Sequence, residues 1–117
     1  MNILYVEDEP NDARLVERYV RSTQHEITIA TNIETARAAL STDPTLILVD
    51  LLIDEARLGL SFVKELRSQG YEYPIIAVTA LSLPTDVESC MKAGCNDVIT
   101  KPYTLPVLAE AIDRYSS

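Results

Sequence analysis

Short apolar runs alternate with longer amphipathic stretches along the chain. The runs at 3–6, 27–30, 46–49, 75–78 and 97–99 predict β-strands. Several are apolar throughout rather than alternating, which is the pattern of strands buried on both faces of a parallel sheet. Between them the period lengthens to that of a helix. Residues 10–22 set Ala13, Leu15, Val16, Tyr19 and Val20 on one side and Arg14, Glu17, Arg18 and Arg21 on the other. Asn32 is placed to cap a helix over 33–40. Phe62, Val63 and Leu66 predict a helix over 61–69, stopped by Gly70. Pro84 suits the first turn of a helix that ends near Ala93, before Gly94. A last helix is predicted over 105–115, and the irregular stretch 54–60 reads as a loop. The order βαβαβαβαβα, with right-handed crossovers, predicts an α/β fold: a doubly wound five-stranded parallel sheet with helices on both faces. No linker, repeat or low-complexity tract interrupts it, so 1–117 is expected to form one domain.

Composition narrows the function. The 117 residues are 47% hydrophobic and 24% charged, as in ordinary globular chains. A net charge of -8 argues against direct binding to nucleic acid or to an anionic membrane, since both need clustered Lys and Arg. No apolar run is long enough to span a membrane and the N-terminus lacks a basic leader, so a cytoplasmic location is expected. The spacing of Cys90 and Cys95 fits neither a redox motif nor half a zinc site, and reduced, partly buried thiols are expected. His25, the only histidine, reads as a surface residue in a polar turn.

In open parallel sheets, ligands bind beyond the carboxyl ends of the strands. There the first strand ends in Glu7-Asp8-Glu9, the third in Asp50, the fourth in Thr79-Ala80 and the fifth in Thr100-Lys101-Pro102. Clustered carboxylates repel one another, and a hard cation such as Mg²⁺, which takes oxygen ligands, removes that repulsion. A carboxylate can then act as nucleophile toward a phosphoryl group, with the metal and a lysine offsetting the charge on the phosphoryl oxygens.

Four motifs stand in this order: Val6-Glu7-Asp8-Glu9-Pro10, Val49-Asp50-Leu51, Val78-Thr79-Ala80, and Gly94-Cys95-Asn96-Asp97 leading to Thr100-Lys101-Pro102-Tyr103. With them the chain resembles the response-regulator receiver family, chemotaxis regulators included, over essentially its whole length. The resemblance implies a phosphoacceptor that is a regulatory domain rather than an enzyme, though able to assist its own phosphorylation and dephosphorylation. Asp50 corresponds to the acceptor. Asp8 corresponds to the direct Mg²⁺ ligand, Glu7 to its water-mediated partner, and Leu52 to the residue whose carbonyl completes the metal site. Thr79 corresponds to the switch hydroxyl, Lys101 to the phosphate partner, and Lys101–Pro102 to a bond that is often cis. The implied partners are a sensor histidine kinase or histidine phosphotransfer protein, and a downstream target protein. The chain departs from the family at Asp54, where proline is usual, at Gly59, which falls one residue late, and at Val98, where an aromatic switch residue is usual.

Plainer readings exist for each residue. Asp8 and Glu9 could serve only the helix dipole, Asp50 a turn, Thr79 a strand, and Lys101 solvent. Asp54, Glu55 and Arg57 read as solvated loop charges. Three rival functions are weaker. A phosphorylation-silent interaction module would lack Asp50, Lys101 or the acidic pair. A Mg²⁺ phosphohydrolase commonly has a second aspartate where Leu52 stands. A flavin or nucleotide binder needs a phosphate-cradling loop where Glu7-Asp8-Glu9 would repel phosphate. No DNA-binding or catalytic output segment is legible within these residues.

Overall fold

The computed structural model describes residues 1–116. Five strands, β1 (Asn2–Val6), β2 (Glu26–Ala30), β3 (Leu46–Val49), β4 (Ile75–Thr79) and β5 (Asp97–Thr100), alternate with α1 (Pro10–Arg21), α2 (Ile33–Ala39), α3 (Leu58–Ser68), α4 (Pro84–Ala93) and α5 (Leu105–Asp113). All strands pair in parallel, in the order β2-β1-β3-β4-β5. The chain reverses its winding between β1 and β3, so the crevice that such sheets use for ligands opens at the ends of those two strands.

Strand alternation sorts the core into two layers. Ile3, Tyr5, Leu46, Leu48, Ile76, Val78 and Ile99 pack with Val16, Val20, Leu108 and Ile112 of α1 and α5. Leu4, Val6, Ile47, Val49, Ile75 and Ala77 pack with Ala36, Phe62, Val63, Leu66 and Cys90 of α2, α3 and α4. The three central strands are buried along their whole length apart from Asn2, as their continuous apolar runs require. On α1 the buried face is narrower than its sequence pattern predicts. Ala13, Val16 and Val20 are covered, but Leu15 lies a helical step of about 100° away from Val16 and is 42% exposed.

The helix ends follow local chemistry. Asn32 caps α2 by accepting the Thr35 N–H at 2.8 Å. Gly94 closes α4 in the left-handed region at φ 116°, and Gly70 follows α3 at φ 86°. After α2 the chain tightens into a 3₁₀ turn over Leu40–Thr42. The last helix stops at Asp113, two residues short of the predicted end. Cys90 and Cys95 are free thiols and both are buried. Lys101–Pro102 is cis.

The β3–α3 connection departs from the predicted loop at 54–60. Residues 58–60 already belong to α3, because Gly59 and Leu60 are buried against the end of β3. Only glycine permits this approach: a Cβ at residue 59 would lie 1.8 Å from the Asp50 carbonyl oxygen. Ahead of the helix, Ile53 and Ala56 exchange both backbone hydrogen bonds, at 2.9 and 3.1 Å, around Asp54 and Glu55. Those two residues have φ of 54° and 58°, the geometry of a turn that favours Asn-Gly. The left-handed region costs an ordinary L-residue about 1–2 kcal/mol. Two opposite outcomes are therefore expected in urea unfolding. Glu55→Gly should stabilise by about 0.5–1 kcal/mol, the relief being partly offset by glycine's extra freedom when unfolded. Gly59→Ala should destabilise by about 2–4 kcal/mol, because backbone has to move. An unchanged midpoint for both would contradict the geometry of this connection.

Candidate functional site

At the carboxyl edge of the sheet one ammonium is shared among three carboxylates. Lys101 Nζ donates to Glu7 Oε1 at 2.5 Å, Asp12 Oδ2 at 2.7 Å and Asp50 Oδ2 at 2.9 Å. The order of elements brings them together. Glu7 follows β1, Asp50 follows β3 and Lys101 follows β5, while Asp12 lies in the first turn of α1, which starts at the same edge. The other oxygen of Asp50 accepts the Leu52 N–H at 3.0 Å, so the carboxylate is held at both ends. Asp50 is 7% exposed and Glu7 is fully buried.

Burial is the largest single influence on Glu7 and on Lys101. It pushes the Glu7 carboxyl up from its ordinary 4.5 to about 7. The Lys101 hydrogen bond opposes this and the charge of Asp50 adds to it. For Lys101, burial works against the charge, but hydrogen bonds to Asp12, Glu7 and Asp50 outweigh it and hold the ammonium above its usual range. Beneath Glu7, two residues back on the same side of β1, Tyr5 donates its hydroxyl to Glu7 Oε1 at 2.9 Å. Burial, and then the charge of Glu7, push that hydroxyl far up, so it stays a donor.

The other predicted residues stand apart from the lysine. Asp8 turns toward the β3–α3 connection, where its Oδ2 accepts the Asp54 N–H at 2.8 Å. Thr79 is fully buried at the end of β4, and its Oγ1 accepts the Leu81 N–H at 3.2 Å. Leu52 is half-buried beside Asp50. Among the described residues no three His, Cys, Asp or Glu side chains form a ready-made metal site. Glu7 and Asp50 are engaged with Lys101, and Asp8 with Asp54. The donors nevertheless suit a hard cation: all are oxygens, and the three carboxylates on Lys101, with Asp8 beside them, outnumber the one ammonium.

Sequence reasoning overlooked Tyr5, Asp12 and Tyr103. Tyr5 could have been suspected as the one hydroxyl in an aliphatic strand, in phase with Glu7. Asp12 could have been suspected from its place in a helical turn that begins at the site's edge. Arg57 is exposed, as expected, but it is also paired. It donates to Asp86 Oδ1 at 3.2 Å, and Asp86 is 7% exposed, so the ion pair ties the β3–α3 connection to α4. Asp54 and Glu55 are exposed, as expected. His25 is half-buried, its Nδ1 lying 3.2 Å from the amino group of Met1.

Residues 3–113 match the family described as the response regulator receiver domain. The chain belongs to this family. The polar-differentiation response regulator DivK of Brucella ovis is 30% identical to the receiver domain over 117 residues, which is 97% of this chain and 94% of that protein. The probable C4-dicarboxylate response regulator DctR of Halalkalibacterium halodurans is 28% identical over 98% of this chain but 51% of its own length. The chain therefore spans about half the length of that relative, and similarly 44% of CssR of Bacillus subtilis and 48% of RppA of Synechocystis. The receiver domain of sensor histidine kinase PA1611 from Pseudomonas aeruginosa, solved with a magnesium ion coordinated in its active site cleft, superposes with a TM-score of 0.85 at 33% identity, covering 97% of this chain and 95% of that one. The BeF3-activated receiver domain of Klebsiella pneumoniae RstA gives 0.89 at 22% identity over 98% of this chain and 97% of its own, a likeness of fold. No helix among the described residues is long and apolar enough to cross a membrane. The chain is thus a receiver domain of the kind found in two-component response regulators, a family of regulatory phosphoacceptor domains.

The raised Glu7 gives the receiver domain a stability signature. A carboxyl with a folded pKa near 7 and an unfolded pKa near 4.5 binds protons more tightly when folded. Its contribution is full below 4.5 and is lost as pH rises through 7. In chelator-containing buffer the wild type should lose about 2–4 kcal/mol relative to Glu7→Gln between these limits. Paired urea titrations measure that difference, and a flat difference would mean that Glu7 ionises as in an unfolded chain.

Proposed function

We propose that the chain receives a phosphoryl group on Asp50 from the phosphohistidine of a sensor kinase or phosphotransfer protein, and that the modified state alters its contact with a downstream protein. The observation that carries this reading is the two-ended grip on the Asp50 carboxylate by the Lys101 ammonium and the Leu52 N–H. A carboxylate held this way is oriented as a nucleophile without needing a general base, since it is already an anion. One of its oxygens attacks phosphorus, the P–N bond to the donor imidazole breaks, and an acyl phosphate forms. Lys101, charged throughout, balances the charge on the phosphoryl oxygens.

Glu7, Asp8, Asp50 and the carbonyl of Leu52 would hold Mg²⁺, which supplies charge neutralisation for four crowded carboxylates and for the incoming phosphoryl group. In this reading Asp8 and the Asp54 turn form one unit, because the turn's N–H already binds the Asp8 carboxylate. Thr79 stands ready on the β4 side. Its hydroxyl can donate to a phosphoryl oxygen, and doing so disturbs the Leu81 N–H that it now accepts. Val98 is half-buried and has no ring to turn, and its β-branch restricts it to few rotamers. The response is therefore carried by the segment from Ala80 to Asp86 rather than by β5. A cytoplasmic location, one domain over 1–117, and assistance by the domain in its own phosphorylation and dephosphorylation belong to the same reading.

Acetyl phosphate with Mg²⁺ should produce a retarded band on Phos-tag electrophoresis that Asp50→Asn abolishes; persistence of the band in that variant would sink the assignment. Mg²⁺ should raise the melting temperature more than monovalent salt of equal ionic strength, and Asp8→Asn should reduce the excess. Beryllofluoride, standing in for the phosphoryl group, should shift amide signals of residues 80–86, Leu81 foremost, more than that of Val98. Equal shifts on β5, lost in Thr79→Ala, would contradict this route.

A further inference from the structure

One buried polar group is left over by the site. Among the described residues, Tyr103 Oη is the only buried side-chain nitrogen or oxygen without a hydrogen-bond partner. Buried hydroxyls are nearly always paired, so an orphan beside a reactive site calls for a second state in which it is satisfied. Tyr103 lies two residues beyond Lys101. After burial, the strongest influence on its hydroxyl is the charge of Asp12, which with burial raises it above its ordinary range, so it stays a donor.

Asp12 has the complementary problem. Its single hydrogen bond among the described residues is the one from Lys101, at 2.7 Å. A phosphoryl group on Asp50 would bring a larger negative charge, with three acceptor oxygens, to the same ammonium and draw it away from Asp12. The carboxylate, whose side chain is 39% exposed, would then be left beside the new negative charge with no donor from the protein. The orphan hydroxyl in its field is the donor it lacks.

We propose that Asp12 and Tyr103 are positioning residues for phosphoryl transfer. In the unmodified site Asp12 holds Lys101, and when the ammonium turns to the phosphoryl group Asp12 takes the Tyr103 hydroxyl instead. No covalent bond changes in this exchange: one hydrogen bond from Lys101 is given up and one from Tyr103 Oη is made. It rests on the reading of Asp50 as acceptor. It adds a purpose for a tyrosine that neither the metal ligands nor the Thr79 route uses.

The test is a double-mutant cycle read as beryllofluoride affinity in the presence of Mg²⁺. Tyr103→Phe should weaken binding about 5–10-fold, the size of one ordinary net hydrogen bond. Asp12→Asn, which frees Lys101, should strengthen it. In the Asp12→Asn background Tyr103→Phe should have no effect, and in Asp12→Glu it should again weaken binding. In the wild type, the ¹³Cζ resonance of Tyr103 should move in the direction of a hydrogen-bonded phenol when beryllofluoride binds. A Tyr103→Phe effect of equal size with and without Asp12, or a stationary Tyr103 resonance, would overturn the exchange while leaving the Asp50 requirement intact. Undiminished binding by Asp50→Asn would overturn the acceptor reading, and the exchange with it.

Discussion

One ammonium held by three carboxylates is the interaction on which the site depends. At an effective dielectric of about 20, two unit charges 4 Å apart interact by about 4 kcal/mol, so carboxylates crowded at one sheet edge need an internal cation or a proton. Both occur. Lys101 bridges Glu7, Asp12 and Asp50. Glu7, the most deeply buried of the three, has its proton affinity raised toward neutrality. Tyr5 finishes the arrangement from below by donating to the same Glu7 oxygen. The site is thus built around excess negative charge, which suits a place where a cation and a phosphoryl group are exchanged and does not suit the binding of a free anion.

The connection after Asp50 carries a second constraint. Gly59 seats α3 against the Asp50 carbonyl, and the strained Asp54–Glu55 turn occupies the short span before the helix. That turn donates to Asp8 on one side, while Arg57 reaches Asp86 on the other. Asp50, the acidic pair and the start of α4 are therefore linked mechanically through a few residues. Backbone strain held beside reactive groups is common where geometry matters more than stability.

Much of the fold was legible along the chain. Continuous apolar runs marked β1, β3 and β4 because both faces of these strands are covered; Asn32 marked a helix start by its capping side chain, Pro84 by its fixed φ, and Gly70 and Gly94 marked helix ends through the left-handed region. The start of α3 was missed because Gly59 argues against a helix when only local propensity is considered. Its role there is to admit the Asp50 carbonyl, a contact that sequence does not display. Leu15 was assigned to the buried face because polarity alone does not set the width of a helix face.

The residue types of the site, and their convergence on one edge, follow from the sequence alone: parallel strands all end on the same side, so Glu7, Asp8, Asp50, Thr79 and Lys101 had to approach one another. Which carboxylate would pair with the lysine did not follow. Asp12 entered through the direction of the first turn of α1, Asp8 was drawn aside by a backbone N–H 46 residues away in sequence, and Tyr103 was left without a partner. Such pairings depend on distances of about an ångström between segments far apart in the chain, because a hydrogen bond weakens steeply beyond its narrow range of length and angle. Strand order and residue type bring groups to the same edge, and only the packed tertiary structure decides which of them touch.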